Sequence, residues 1–254
     1  MKKIFVLIFL IYNCWVFSQN QYPKLSYSIS YNNQHVSMEN YNNYLDNITS
    51  DLIKIDQRLK RVNKYDIRFQ IEPNKWYSIG LYLEYSTGKL SFNPSFKILN
   101  PDLSVTLVEG FSKNRITSTN IGLSGSLFLN SIVESKSTFI RNLNYGVNIE
   151  MGYGFVEYLS ETYNPSFSEY SVTSFIRNGN GLRLNTGVFI EYPLTKKPFE
   201  ILVGFISGYQ YYKTFVLKGP EGIEWGDPEY YVTPGLINLN FSGISLGAYF
   251  KIRK

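Results

Sequence analysis

Apolar and polar residues alternate with period two over most of this chain. Between residues 143 and 155, Leu143, Tyr145, Val147, Ile149, Met151, Tyr153 and Phe155 fall on one face, while Asn144, Gly146, Asn148, Glu150, Gly152 and Gly154 fall on the other. Successive side chains of an extended strand point to opposite sides, so this run predicts one long strand. It exceeds the roughly 9 to 11 residues that a tilted strand needs to cross a bilayer. The pattern returns at 182–192, with Leu182, Leu184, Val188, Ile190 and Tyr192 opposite Arg183, Asn185, Gly187 and Glu191, and again at 199–211. Earlier strands are predicted at 77–85, 90–98, 103–111 and 119–129, with weaker ones at 25–31 and 65–71.

A soluble sandwich also alternates. Here, however, the apolar face is nearly free of charge over long strands, the opposite face is rich in Gly, Asn and Ser, and Tyr and Phe gather toward strand ends. Those are the marks of a lipid-facing band around a polar lumen. Connection lengths agree: 193–198 is short, whereas 158–181 and 218–235 are long, as turns and loops at the two ends of such a barrel are. Composition points the same way, with 44% hydrophobic and only 18% charged residues, and 17% aromatic, including 22 Tyr and 18 Phe.

The last strand, 236–252, shifts phase. Ile237, Leu239 and Phe241 are apolar on odd positions, but Ile244, Leu246, Ala248, Phe250 and Ile252 on even ones, which predicts a bulge near Gly243. The stretch Ser245, Leu246, Gly247, Ala248, Tyr249, Phe250, Lys251, Ile252 resembles the C-terminal assembly signal of small outer-membrane β-barrel proteins of Gram-negative bacteria. It departs from that signal in having Ile252 where an aromatic residue is usual, and Arg253 and Lys254 beyond it. The resemblance implies an all-β, antiparallel, up-and-down transmembrane barrel in the outer membrane. It also implies lipid as the surrounding medium and the barrel-assembly machinery as a partner of the C-terminal strand.

The period changes between Asn40 and Asn63. Tyr41, Tyr44, Leu45, Ile48, Leu52, Ile55, Leu59 and Val62 follow spacings of three and four, which predicts an amphipathic helix over about 38–63, started by Ser37 or Asn40. Such a helix either packs on its own barrel or, since Leu45, Ile48, Leu52, Ile55, Leu59 and Val62 alternate like a coiled-coil seam, binds a partner or itself. The strand count is eight to ten. Ten follows if 25–31 and 65–71 are both wall strands, and the clean alternation of both, with a tight turn at Glu72, Pro73, Asn74 and Lys75, favours ten.

Met1, Lys2 and Lys3 followed by an apolar stretch, with Val16 and Ser18 before Gln19, predict a signal peptide over 1–18 and one barrel domain over 19–254. Cleavage removes Cys14, the single cysteine, and with it disulfide and thiolate chemistry. Without Lys2 and Lys3 the 25 Lys and Arg become 23 against 20 Asp and Glu, a net charge of about +3, with the cations scattered. That distribution gives no footprint for nucleic acid.

Chemistry is sparse. His35, the single histidine, is read as a loop residue, so neither a catalytic nor a metal site is expected, and no cofactor. Glu84, Glu150, Glu191 and Glu200 are expected to point inward with Arg183 and Lys251, as a salt-bridged lumen network rather than as an acid/base pair. Gly179, Asn180 and Gly181 read as a loop-to-strand turn, not a phosphate loop. The loop 219–234 sets Trp225, Tyr230 and Tyr231 beside Glu221, Glu224, Asp227 and Glu229, an acidic aromatic surface suited to a protein or glycan. The expected function is a non-enzymatic barrel that is structural, adhesive or partner-binding through its long loops. The alternatives are a small pore or solute transporter, and a soluble secreted β-sandwich or lipocalin-like binder.

Overall fold

The computed structural model describes residues 23–39, 41, 43, 60–93, 95–132, 140, 142–163, 172–195, 200–219, 221–224 and 238–254. Eight long strands close into an antiparallel barrel: β1 (Lys24–Ser37), β2 (Arg61–Glu72), β3 (Tyr77–Phe92), β6 (Phe111–Phe128), β7 (Asn144–Tyr163), β8 (Val172–Pro193), β9 (Glu200–Thr214) and β10 (Phe241–Arg253). Between β3 and β6, the strands β4 (Ser95–Leu99) and β5 (Val105–Glu109) form a separate two-stranded hairpin. Each wall strand pairs with the next one along the chain, and β1 pairs with β10 to close the ring, where Leu25 and Lys254 exchange backbone hydrogen bonds of 2.9 Å.

Closure satisfies every edge of the wall, and alternation sorts the side chains. Leu25, Tyr27, Ile29 and Tyr31 of β1 face outward, as do Tyr65, Ile67, Phe69 and Ile71 of β2 and Ile79, Leu81, Leu83 and Tyr85 of β3. Ser26, Ser28, Ser30, Asn32 and Gln34 of β1 are buried inside. The exposed face is thus the apolar one and the buried face the polar one, the reverse of a water-soluble protein. On β7 the outward run from Tyr145 to Phe155 covers about ten residue steps of ~3.3 Å, which at a tilt of about 40° is roughly 25 Å of height. That is the thickness of the apolar band a bilayer requires.

The first and last described residues, Pro23 and Lys254, mark the terminal end of the barrel, with the connections 73–76, 129–143 and 194–199. The opposite, far end carries 38–60, 93–110, 164–171 and 215–240. Two of the connections at the terminal end have ordered turns: Asn74 accepts from the Trp76 backbone N–H at 2.8 Å, and Leu129–Ser131 makes one 3-10 turn.

Several expectations need correction. The wall has eight strands, not the favoured ten, although 25–31 and 65–71 are both in it. Leu90, Ser91 and Phe92 extend β3 without a break, Phe111 starts β6, and Ser95–Leu99 and Val105–Glu109 form the β4–β5 hairpin beyond the wall. No bulge occurs near Gly243. The β10 register runs unbroken from Phe241 opposite Tyr212 to Arg253 opposite Glu200, and Leu239 and Phe241 are apolar because they point into the barrel at its far end. Of the helix expected over 38–63, Arg61, Val62 and Asn63 belong to β2, and Ser37 ends β1. Glu39, Tyr41 and Asn43 are helical, and 44–59 lie outside the described residues. The connection expected over 158–181 shrinks to 164–171, so Gly179, Asn180 and Gly181 are strand residues of β8. His35 sits on wall strand β1, facing outward, rather than in a loop. The leader 1–18 lies outside the described residues, as do Trp225, Tyr230 and Tyr231.

Candidate functional site in the barrel interior

The interior is filled in layers. Nearest the termini, Lys251 contacts Glu72 at 3.0 Å and Glu191 at 3.2 Å, Arg253 contacts Glu72 at 3.0 Å and also Glu200, and Lys24 contacts Glu200 at 3.1 Å. Three cations there meet three carboxylates. Next to them Phe128, Phe189, Ile206 and Tyr249 make a small apolar cluster, with Phe128 and Phe189 edge to face at 5.6 Å. Among Ser28, Arg68, Gln70, Asn148, Glu191 and Lys251 a cavity of about 10 Å³ remains, barely enough for one water.

The middle layer is again ionic. Arg183 reaches Glu84 at 2.6 Å and Glu150 at 2.8 Å; Arg68 reaches Glu150 at 2.8 Å and Asp66 at 2.9 Å; Lys64 reaches Glu84 at 3.3 Å and Asp66 at 3.9 Å. Three cations again meet three carboxylates, all buried. Asn120 donates to Glu84 at 3.1 Å and Asn185 to Glu150 at 2.9 Å. Taking such ions out of water costs several kcal/mol each, and only mutual pairing with further hydrogen bonds offsets it.

Register explains how these groups meet. Across the wall Tyr82, Gly122, Gly152 and Arg183 stand in one row. A side chain at Gly152 would bring its Cβ to 2.1 Å from the Tyr82 Oη. The two glycines leave the lumen open at that row, so the Arg183 guanidinium lies over the Tyr82 ring at 4.8 Å. Glu191, Gly204 and Tyr249 repeat the device nearer the termini. The Tyr249 hydroxyl donates to Glu191 at 2.9 Å across the space Gly204 leaves.

Toward the far end the filling becomes apolar. Gln34 of β1 bonds Gln210 of β9 over the inner face of β10. Beyond them Val36, Met38, Tyr41, Val62, Leu90, Ile116, Val156, Tyr158, Tyr212, Leu217, Leu239 and Phe241 form one buried cluster. Tyr212 stacks on Phe241 at 5.1 Å, Tyr41 meets Tyr158 at 5.7 Å, and the Tyr158 hydroxyl donates to Asn114 at 2.6 Å. Leu217 and Leu239, near the two ends of the connection 215–240, turn inward and complete this plug.

The structure places all six sequence-predicted lumen residues inside. Glu84, Glu150 and Arg183 meet in the middle layer, Glu191, Glu200 and Lys251 in the layer nearest the termini. Sequence reasoning missed Lys64, Asp66, Arg68 and Glu72, whose signal was plain: they occupy alternate positions of β2 opposite Tyr65, Ile67, Phe69 and Ile71. Lys24 and Arg253 were missed as well, at strand ends where alternation fades.

Above the wall, Leu103 stands at the tip of the β4–β5 hairpin with φ 64, 78% exposed. This left-handed conformation is unusual for a branched residue. The turn is held by Asp102, which accepts from the Ser104 hydroxyl at 2.6 Å and its backbone N–H at 3.0 Å. These bonds hold the Asp102 carboxyl below its ordinary range. Beside β8 and the start of 215–240, Asn178, Asn180, Phe215, Lys218 and Glu224 line an open recess of about 630 Å³.

Neither a protein-family model nor a curated protein sequence matches this chain. Solved structures resemble it in outline. A major outer membrane protein from Thermus thermophilus aligns with 89% of this chain and 99% of its own, at 11% identity and TM-score 0.42. Ail, the attachment invasion locus protein of Yersinia pestis, aligns with 91% and 99% at 14% identity and TM-score 0.37. The outer membrane protease OmpT from Escherichia coli aligns with 93% and 98% at 10% identity and TM-score 0.37. The chain's own geometry names the architecture: a closed antiparallel wall of eight strands, an apolar exterior of bilayer height edged by tyrosines, and a polar interior make it an outer-membrane β-barrel.

Proposed function

We propose that this protein is a non-conducting, non-enzymatic barrel that binds a partner through the surface at its far end. One observation carries the reading: the lumen is filled along its length by two charge-balanced ionic layers and an apolar plug. An eight-stranded wall leaves room for side chains and little else. Each inward carboxylate is engaged by a cation, which leaves none poised as a general base, and His35 faces away from them. What the far end offers instead is display: β6, β7 and β8 run past the apolar band, the β4–β5 hairpin projects between β3 and β6, and the recess at Asn178 and Lys218 opens beside β8. A protein or glycan is the partner such a surface suits. The last wall strand, β10, is the one the barrel-assembly machinery would engage.

Planar-bilayer recording of the refolded protein, with heat-modifiable gel mobility as proof of folding, tests closure. The expected result is a folded, silent protein; steady conductance steps would overturn the reading in favour of a pore. Replacing 95–109 by a short turn tests display. Cells bearing the shortened barrel are expected to lose adhesion to immobilised proteins or glycans that retain cells bearing the full one.

A further inference from the structure

The outer face of β1, β2 and β3 carries a layered sequence beyond the apolar band. Its far edge on these strands is Tyr31, Tyr65 and Tyr85, with Tyr31 and Tyr65 in contact at 5.3 Å. The next outward positions are Asn33, Asn63 and Thr87. There Asn33 donates to Asn63 at 3.0 Å, as does the Tyr31 hydroxyl. The positions after those are His35, Arg61 and Lys89. His35 pairs with Arg61 in the register, and the Asn63–Thr87 pair sets Arg61 beside Lys89. On β6 the row continues, since Lys89 is directly opposite Arg115, with Lys113 one outward position further.

Like charges directly opposite on a sheet face destabilise it, yet Lys89 stands between Arg61 and Arg115. Among the described residues of these wall strands, outward carboxylates lie on the β7 side, where Glu157 is 4.0 Å from Arg115 and Glu161 is opposite Lys113. Lys113 also lies 4.9 Å from the Phe111 ring. No described carboxylate on β2 or β3 shares the outward face with Arg61 and Lys89. Four residues at ~3.3 Å on a strand tilted by about 40° set these cations roughly 10 Å beyond the tyrosines. That is headgroup depth: rings at the acyl boundary, amides and hydroxyls at the sugar or ester level, cations at the phosphates.

We propose that Arg61, Lys89 and Arg115 form an outward-facing site for the phosphate groups of an anionic glycolipid in the leaflet at the far end, with Asn33, Asn63 and Thr87 facing its sugar and amide groups. The site rests on the barrel's membrane embedding and is independent of the partner surface above it. Arginine supplies the planar fork that grips phosphate oxygens, and Lys89 the point charge between two forks.

The test uses the full barrel, refolded in phosphate-free neutral detergent and analysed by native mass spectrometry with a bis-phosphorylated diglucosamine lipid, its dephosphorylated counterpart, and inorganic phosphate. The expected result is retention of the phosphorylated lipid, weakened about 30-fold in K89Q/R115Q, since each cation near a lipid surface is worth a factor of about five. K75Q, a cation of the 73–76 connection at the opposite end of the barrel, should leave retention unchanged. Heat-modifiable mobility confirms that each variant is folded. If K89Q/R115Q fails to fold, R61Q carries the test with an expected loss of about fivefold. Equal retention of the dephosphorylated lipid, equal competition by inorganic phosphate, or undiminished binding in K89Q/R115Q would each overturn the site. A protein that stays monomeric in detergent-free buffer would instead overturn the membrane embedding itself.

Discussion

The two ends of the lumen solve one packing problem with opposite chemistry. From the termini to the middle layer, wall strands turn ions inward and neutralise them three against three; toward the far end, a connection folds in Leu217 and Leu239 to meet Tyr212 and Phe241. An ionic filling is all-or-none, because removing one partner strands the others in a medium that cannot solvate them. An apolar filling is graded, because each lost methyl group costs its own contacts and cavity. The difference teaches which part of the barrel fixes the register and which part can vary with the loops.

The largest effect should come from Arg183→Met, which leaves Glu84 and Glu150 facing each other: a loss of about 3 to 5 kcal/mol in urea unfolding from lipid vesicles. Replacing Arg183 and Glu84 together by Met and Leu, which leaves Lys64 and Arg68 against Asp66 and Glu150, should recover most of that loss. A double variant no better than the single one would show that the ions do more than balance one another. Leu217→Ala in the plug should cost about 2 to 4 kcal/mol by the same assay, and Leu217→Ala with Leu239→Ala should cost more than either alone. A network-like cancellation there would erase the contrast. Lys24→Gln, at the half-exposed pair with Glu200, should cost at most about 1 kcal/mol, since solvent screens that contact. The smallest effect belongs to the hairpin. Its Asp102 contacts with Ser104 are present above the ordinary carboxylate range and are lost as pH falls through the lowered Asp102 value. Protection of the Ser104 amide should therefore persist through the ordinary carboxylate range and be lost only below it, and Asp102→Asn should remove that pH dependence.

Much of the wall was legible because alternation is a local property. Residues 144–155 carry their facing in their own sequence, and β7 keeps it, while Leu143 stands just before the strand. The count failed where a local signal has two readings. Residues 90–98 alternate equally well as a new strand and as the end of β3 followed by a hairpin, and only pairing partners decide. Gly243 failed for a related reason: a change of phase normally marks a bulge, whereas here Leu239 and Phe241 are apolar for the sake of the plug. The plug itself was invisible, since it joins Met38, Ile116, Tyr158 and Leu239 from distant parts of the chain. Glycines opposite the apolar face were legible as small; that Gly122 and Gly152 stand between Tyr82 and Arg183 was not, because it depends on register across four strands.

The seam between β1 and β10 has a consequence for the order of events during assembly. The wall strand made first waits for the one made last, so no ring can form until the whole run of strands has left the ribosome and crossed the inner membrane. Until then both free edges and the entire lipid-facing surface are exposed to water in an export intermediate hundreds of ångströms of contour long. Escort through that interval, rather than the stability of the finished ring, is where such a chain is most easily lost to aggregation.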